Sequence, residues 1–329
     1  MKREISRRDF INRTSIISLG LLWSGNSLLS KSISGRPNSK FGGVQIGVVS
    51  YSFRSMPHDV DQLIKFCTDA NISAIEMMGD PAETFAGKPA SPFKPGPPPK
   101  DGFTAEQKAE RANYSKKVAE WRATVSMDKF KEIHKKFKAA GITIYAYKPN
   151  ALDPRNSDAE IEYALKAAKA LGASSVTVEI PSDPAQSKRL GDLGEKHKIF
   201  IGYHAHLQAT DTIWDTALSQ SPYNSMNLDC GHYIAVGGNN TTASLLALIE
   251  AKHDRITSIH LKDRTNAANG QKNLVWGSGD TPIKEVLLLM KSKKYKFPAS
   301  VELEYDIPAG SDAVKEVAKC VAFAKNVLS

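Results

Sequence analysis

Short apolar runs rich in β-branched residues alternate with longer segments of helical spacing from Gln45 onward. This alternation predicts parallel strands joined by right-handed crossovers. The predicted strands are residues 45–53, 74–78, 143–147, 175–180, 200–204, 225–229, 257–261 and 299–304. Eight is the strand number of a closed (β/α)8 barrel.

Apolar residues recur with a period of about 3.6 between these strands. The predicted helices are residues 60–70, 129–140, 158–171, 185–197, 210–218, 241–251, 283–292 and 312–328. Gly141 and Gly172 stand where a helix commonly ends on a left-handed residue. An open doubly wound sheet would alternate in the same way, but neither a GxGxxG motif nor a P-loop follows the first strand. We therefore predict an α/β protein with a (β/α)8 TIM barrel over residues 41–329.

A stretch dense in proline, glycine and lysine interrupts the pattern at residues 81–103, after the second strand. A loop this long inside a compact domain is usually functional or disordered. Both interpretations stay open: a lid or partner-binding flap at the barrel rim, or a flexible insertion without a function.

Residues 1–40 have the shape of a signal peptide followed by a linker. Arg7 and Arg8 lie in a Ser-Arg-Arg-Asp-Phe-Ile stretch that resembles the twin-arginine export signal, and the apolar run 14–25 is too short for a stable membrane anchor. We expect export by the twin-arginine translocation machinery to the periplasm, with no stable membrane anchor beyond the signal. The alternative is an uncleaved amphipathic tail.

Charge and cysteine content exclude some classes of function. The net charge is +9, but the lysines are scattered through amphipathic segments, so we expect no nucleic-acid partner. The three cysteines cannot all pair within one chain and lack zinc-ribbon spacing. Cys67 and Cys320 are expected to be buried apolar fillers.

Ionisable residues gather at the ends of the predicted strands. They are Glu76, Glu179, His204, His206, Asp229, His232, His260, Lys262, Glu302 and Glu304. In a barrel the carboxyl ends of the strands face one cavity, whereas the interior below favours Val, Ile and Leu. A bound cation would compensate the cost of burying so many charges. Imidazole with carboxylate suits one divalent ion, which we take to be Mn, Co, Zn, Fe or Mg.

The motifs at these strand ends resemble those of the sugar phosphate isomerase/epimerase family, whose fold is the xylose-isomerase-like barrel. The resemblance runs from about residue 45 to residue 329. Its motifs are Ile75-Glu76-Met77-Met78-Gly79, Tyr203-His204-Ala205-His206, Leu228-Asp229-Cys230-Gly231-His232-Tyr233, Ile259-His260-Leu261-Lys262-Asp263, Trp276-Gly277-Ser278-Gly279-Asp280-Thr281-Pro282-Ile283 and Val301-Glu302-Leu303-Glu304. The resemblance implies that His204, Asp229, His260 and Glu302 bind one divalent metal ion. It also implies that Glu302 is the catalytic base, a role that Glu304 could exchange with it.

This chain departs from the family at the fifth strand, where the epimerases have a glutamate and this sequence has His204. One half of their facing acid/base pair is therefore missing. Glu179 is the favoured replacement, with His206 and Lys262 as alternatives. Glu179 could instead form only a structural ion pair, and His206 could only orient a ligand.

Four residues are predicted to bind the substrate: Glu76, His206, His232 and Trp276. The Trp276 ring could stack on a sugar or simply pack in the core. The predicted enzyme is a metal-dependent sugar isomerase or epimerase that acts through an enediolate. The alternative is a lyase that cleaves 3-keto-glycosides by β-elimination. Less favoured are an apurinic-endonuclease-like enzyme and a non-catalytic carbohydrate-binding barrel.

Overall fold

Eight parallel strands close into a barrel in the computed structural model, which describes residues 35–93, 99 and 102–329. Each strand pairs with the next along the chain, and the last pairs with the first. The strands are β1 (Val44–Val49), β2 (Ala74–Met78), β3 (Thr143–Lys148), β4 (Ser175–Glu179), β5 (Phe200–His204), β6 (Asn224–Asp229), β7 (Ile256–Leu261) and β8 (Ala299–Val301). The predicted TIM barrel is confirmed.

Helices cover the outside of this barrel. They are α1 (Val60–Asp69), α2 (Gly79–Phe85), α3 (Ala105–Thr124), α4 (Asp128–Ala139), α5 (Asp158–Ala170), α6 (Pro184–His197), α7 (Asp215–Gln220), α8 (Cys230–Val236), α9 (Thr242–Lys252), α10 (Ile283–Lys293) and α11 (Ala313–Leu328). Short 3-10 turns cover Ser50–Phe53, His253–Arg255 and Ala267–Asn269. None of the described helices combines the length and apolar character needed to cross a membrane.

The helix boundaries follow from capping. Ser157 accepts a hydrogen bond from the Glu160 amide while the Glu160 side chain accepts from the Ser157 amide, which starts α5. The predicted stops at Gly141 and Gly172 are confirmed, with φ of 80° and 79°. A residue with a Cβ would be strained in this left-handed conformation.

Two predicted strands are too long. Residues 50–53 form a 3-10 turn, and β8 ends at Val301 rather than at residue 304. Serine hydroxyls explain the early end of β1, because they bond to neighbouring backbone in place of the ladder. Ser50 Oγ accepts from the Met78 amide, and Ser52 Oγ accepts from the Leu303 amide.

Domain boundaries also shift. Residues 36–40 belong to the barrel unit rather than to the predicted linker, since Ser39 is buried and its Oγ donates to the Ile46 carbonyl at 2.6 Å. Residues 40 and 41 form a short antiparallel strand with β1. The predicted signal lies in residues 1–34, outside the described residues. At the predicted insertion, residues 81–85 are helical, and residues 94–98 and 100–101 lie outside the described part.

The apolar core lies between the strands and the helices, and Cys67 and Cys320 are buried in it as expected. The barrel interior, however, is polar, which corrects the expected filling of Val, Ile and Leu. Glu76 on β2 contacts Asn227 on β6, and Tyr145 on β3 bonds to Ser300 on β8. These strands are not neighbours, so the contacts cross the interior of the barrel. The interior therefore supports the rim with hydrogen bonds.

Candidate metal centre

The four residues predicted as metal ligands come together at the carboxyl ends of four consecutive strands. His204 ends β5, Asp229 ends β6, His260 lies near the end of β7, and Glu302 follows β8. All four are buried. His204 Nε2 and His260 Nδ1 each lie 3.9 Å from Asp229 Oδ2. Two imidazole nitrogens and two carboxylates thus face one point. Three of these residues, His204, Asp229 and His260, have the spacing of a metal-binding group.

Asn227 lies beneath this cluster and was missed by the sequence reasoning. It is fully buried on β6, two residues before Asp229, and its Oδ1 lies 2.9 Å from His204 Nδ1. Its Nδ2 donates to Ser258 Oγ at 2.7 Å and to Glu76 Oε2 at 3.1 Å. The spacing of two in a strand was the available signal, because it places Asn227 on the same face as Asp229.

Glu76 is also fully buried, below His260 rather than at the open rim. Its Oε2 lies 2.9 Å from His260 Nε2, while His260 Nδ1 lies 3.1 Å from Glu302 Oε2. Burial lowers the pKa of His260, but the charges of Glu76 and Glu302 outweigh burial and raise this pKa to about 10. In the structure Glu76 contacts His260, and its predicted contact with a substrate stays a prediction.

Lys262 places its ammonium among the carboxylates. Its Nζ lies 3.0 Å from Asp229 Oδ2, 2.8 Å from Glu302 Oε2 and 2.9 Å from Glu304 Oε2. Burial lowers the pKa of Lys262, but these carboxylates outweigh burial and raise it. Lys262 therefore holds its proton at neutral pH and acts as a cation rather than as a base.

A close approach by the backbone lets Lys262 reach this place. A Cβ built on Gly231 would lie 2.3 Å from Lys262 Cγ and 2.6 Å from its carbonyl oxygen. Only glycine fits there. The Gly231 of the sequence motif therefore makes room for the lysine.

The donor set fits a divalent cation. Four buried or half-buried carboxylates, those of Glu76, Asp229, Glu302 and Glu304, face one ammonium and the His260 ring. Asp229 Oδ2 is buried and accepts no hydrogen bond of good geometry, although Lys262 lies close. Burial raises the pKa of Asp229, but the nearby charges, led by Lys262, lower it to about 2. An ionised, orphaned carboxylate oxygen between two imidazoles suits Mn, Co, Zn or Fe.

His232 forms a second histidine group with His204 and His206. Its Nδ1 lies 2.6 Å from Arg264 Nη1, and its Nε2 lies 3.0 Å from Lys262 Nζ. Burial lowers the pKa of His232 to about 4, so the ring is neutral with a single free lone pair. In either tautomer that lone pair faces a protein cation. His232 is therefore poorly placed to bind a metal.

Glu179 and His206 lie on the solvent side of the cluster, where about half of each side chain is exposed. Glu179 Oε2 is 3.4 Å from His206 Nδ1, and Glu179 Oε1 accepts from Lys148 at 2.9 Å. Burial raises the pKa of Glu179, but His204 and Lys148 outweigh burial and lower it. Lys148 at the end of β3 was missed by the sequence reasoning.

Trp276 packs edge-on against Phe323 of α11, with ring centroids 5.8 Å apart. The loop that follows it is fixed by Asp263, whose Oδ2 accepts from the amides of Gly277, Ser278 and Gly279. The contacts of Trp276 are therefore packing contacts, and the predicted sugar stacking stays a prediction.

Two cavities open on the β3 and β4 side of the described barrel. The larger, about 1050 Å³, lies between α3 and the loop after β3, and none of the clustered histidines lines it. The smaller, about 500 Å³, is lined by Lys148, Thr177 and Glu179. The smaller cavity thus reaches the edge of the cluster through Glu179.

Residues 102–322 match the model of the xylose isomerase-like TIM barrel family. The chain belongs to this family. The resemblance expected from the rim motifs is confirmed at that level.

Solved structures share the fold at low sequence identity. A sugar phosphate isomerase/epimerase from Parabacteroides distasonis is 16% identical, with a TM-score of 0.57 over 87% of this chain and 96% of that one. The probable 3-DHS dehydratase of petrobactin synthesis from Bacillus anthracis is 13% identical, with a TM-score of 0.59 over 85% and 98%. D-Psicose 3-epimerase from Clostridium cellulolyticum, solved with D-tagatose, is 12% identical, with a TM-score of 0.57 over 87% and 100%. No curated protein sequence matches this chain significantly.

Proposed function

We propose that this chain is a divalent-metal-dependent enzyme that isomerises or epimerises a small sugar through an enediolate. One observation carries the proposal: His204, Asp229, His260 and Glu302 converge at the barrel rim, and the buried Asp229 Oδ2 between the two imidazoles makes no hydrogen bond of good geometry, although the Lys262 ammonium lies 3.0 Å away. Structural neighbours named as sugar isomerases or epimerases agree with this class.

A cation held by these four residues would polarise a substrate carbonyl and stabilise negative charge developing on its oxygen. Glu302 is the proposed base because its motif resembles that of the family, and the charges around it lower its pKa despite burial, so it is ionised. Lys262 and His232 are proposed to bind substrate oxygens from beside the ligands. Glu179 is proposed to orient His206, which moves the second proton.

Metal analysis of the purified protein tests the site. We expect about one divalent ion per chain in the wild type and a strong loss in His260→Ala and Glu302→Gln. The exposed His253, which stacks on Tyr295 away from the rim, gives the matched control His253→Ala, which should keep its metal. A wild type without stoichiometric metal would sink the metalloenzyme proposal.

Cleavage of 3-keto-glycosides by β-elimination is the second candidate. His204 in place of a glutamate favours it, because elimination needs one base near the acidic C–H and one acid near the leaving group. Glu302 contacts His260, whereas His206 of the Glu179–His206 pair lies against His204, so the two could serve these roles. A neighbour of the same fold is named a probable dehydratase, and dehydration is itself an elimination.

Proton NMR in D2O separates the two reactions. Deuterium incorporation into a free sugar with inversion at the same carbon indicates an epimerase. Movement of the hydrogen from one carbon to the neighbouring carbon indicates an isomerase. Release of the aglycone from a 3-keto-glycoside indicates a lyase. Tight binding of abasic DNA would favour an endonuclease instead, and binding of sugar without turnover would favour a non-catalytic barrel.

We also propose that the protein is exported to the periplasm through the twin-arginine machinery. Only the sequence of residues 1–34 supports this. Cell fractionation of the wild type and of a variant with Arg7→Lys and Arg8→Lys tests it. Equal distribution of the two proteins would contradict export by this machinery.

A further inference from the structure

We infer that Asn227 is a positioning residue that dictates which ring nitrogen of His204 faces the metal, within a network in which Glu76 does the same for His260. The inference rests on the proposed function, because it takes these two histidines as ligands. The network lies below the rim and joins Asn227, Glu76 and Ser258 to the two histidines by hydrogen bonds.

Glu76 contacts the histidine on β7. Its Oε2 lies 2.9 Å from His260 Nε2 and 3.1 Å from Asn227 Nδ2. A ring lone pair facing a carboxylate oxygen at this distance would be repulsive, so His260 Nε2 carries a hydrogen and donates it. When His260 gives up its second proton to bind a metal, its lone pair is therefore on Nδ1, the nitrogen that faces Glu302 and Asp229.

The orientation of the Asn227 amide follows. Its nitrogen has two hydrogens and lies 3.1 Å from Glu76 Oε2, 2.7 Å from Ser258 Oγ and 3.1 Å from His260 Nε2. Because His260 Nε2 carries a hydrogen, it accepts none, and the two amide hydrogens go to Glu76 and Ser258. A flipped amide would place Oδ1 against the Glu76 carboxylate and replace that hydrogen bond by repulsion. Oδ1 therefore points to His204.

That orientation fixes His204. Oδ1 can only accept, so His204 Nδ1, 2.9 Å away, must carry the hydrogen. The lone pair of His204 is left on Nε2, the nitrogen 3.9 Å from Asp229 Oδ2. Asn227 and Glu76 thus present opposite ring nitrogens of the two histidines, Nε2 of His204 and Nδ1 of His260, to the same point.

Burial makes this arrangement rigid. Asn227 and Glu76 are fully buried, and both histidines are at most 2% exposed, so water does not replace the bonds. Partners that orient ligating histidines typically contribute about 10- to 100-fold to metal affinity. We expect a loss of that size, about 10- to 100-fold, when the Asn227 amide is removed.

The chain offers a matched control on the same strand. Asn224 is also fully buried on β6 and makes side-chain hydrogen bonds, but to Tyr203 and to the backbone of Ser187 and Ala217. Asn224→Ala removes a buried amide without touching either ligand. It should lower thermal stability and leave metal affinity within about twofold of the wild type, well below the roughly 10- to 100-fold effect of partners that orient ligands.

The experiment titrates Co²⁺ into full-length wild type, Asn227→Ala and Asn224→Ala against a competing chelator. The inference is supported if Asn227→Ala alone binds Co²⁺ about 10- to 100-fold more weakly. It is overturned if Asn227→Ala binds Co²⁺ as tightly as the wild type. Absence of Co²⁺ binding in the wild type would instead overturn the proposed function.

A second measurement does not depend on whether the variant folds. Nitrogen-15 spectra of histidine-labelled wild type loaded with Zn²⁺ report which ring nitrogen binds metal. We expect one histidine coordinated through Nε2 and one through Nδ1. Coordination of both histidines through the same kind of nitrogen would overturn the inference.

Discussion

The polar residues on two sides of the barrel rim are held very differently. On the ligand side, formed by β5 to β8, His204, Asp229, His260 and Lys262 are each at most 2% exposed and bonded to other side chains. On the open side, Lys148, Glu179 and His206 are 24%, 47% and 49% exposed at the side chain. The ligand side thus holds its polar side chains out of water, whereas the side chains of the open side are accessible to solvent and to a small molecule.

Of the substitutions considered, Asp229→Asn should weaken metal binding by the ligand side most severely. Asparagine can still cap α8, since the cap needs only an acceptor for the His232 amide, but it removes the charge of the orphaned oxygen. We expect a loss of metal affinity beyond the roughly 100-fold seen for outer partners, and loss of activity with it. Chelator competition and circular dichroism check this, and a variant that keeps stoichiometric metal would contradict it.

Lys262→Met should have opposite effects on the metal-free and the loaded protein. Without metal, loss of the ammonium leaves buried carboxylates uncompensated, a change that typically costs about 3–5 kcal/mol. With metal, the cation no longer competes for Asp229 Oδ2 and Glu302 Oε2, so affinity should rise, by about tenfold for each 1.4 kcal/mol gained.

Melting temperatures with EDTA and with Co²⁺ measure both effects of Lys262→Met. Lys148→Met, from the open side, is the matched control and should change neither quantity strongly. Weaker metal binding by Lys262→Met would show that the ammonium assists the ligands instead of competing with them.

The metal-free protein should lose stability in alkaline solution. The pKa of His260 is raised to about 10, against about 6.5 for an unfolded histidine, so its contribution is complete below about pH 6.5. This contribution is lost as pH rises towards about 10. Denaturant titrations of EDTA-treated protein between pH 6 and 10 check it. Glu76→Gln removes one cause of the raised pKa and should flatten the decline, whereas a decline of equal size would contradict the assignment to His260.

Glu179→Gln should affect the ligand side least. Its carboxylate is half exposed, so we expect metal affinity near the wild-type value and a stability change within about 0.5 kcal/mol. If Glu179 orients a proton-transferring His206, kcat should fall by about 10²- to 10⁴-fold with little change in metal content. An unchanged kcat would show that Glu179 forms only a structural ion pair with Lys148.

The sequence was sufficient for the barrel and for the ligand candidates because both follow short-range rules. Short β-branched apolar runs, alternating with segments of helical period, located all eight strands, and parallel strands place their carboxyl ends at one rim. His204, Asp229, His260 and Glu302 could therefore be grouped although they lie far apart along the chain. The short helices α2 and α8 escaped, because a single buried turn leaves no periodic pattern.

The supporting residues could not be predicted because their partners are remote and their positions depend on local irregularities. In the sequence, Asn227 looks like an ordinary buried polar residue. Its role depends on its contacts with Glu76 and His204, which only the structure shows. Lys148 was missed for a different reason. Ile75 pairs with Ile144 but Glu76 pairs with Ala146, so Tyr145 is an extra residue in β3 and shifts the alternation of the residues after it.

The shortness of β8 has a mechanical consequence. This strand has three residues, yet it must close the barrel between β7 and β1, and Glu302 follows it directly. A cation shared by Glu302 and the ends of β5, β6 and β7 would tie the end of β8 to those three strands. Amide hydrogen exchange in β8 should then slow when the cation is loaded, and a chelated barrel should begin to open at β8.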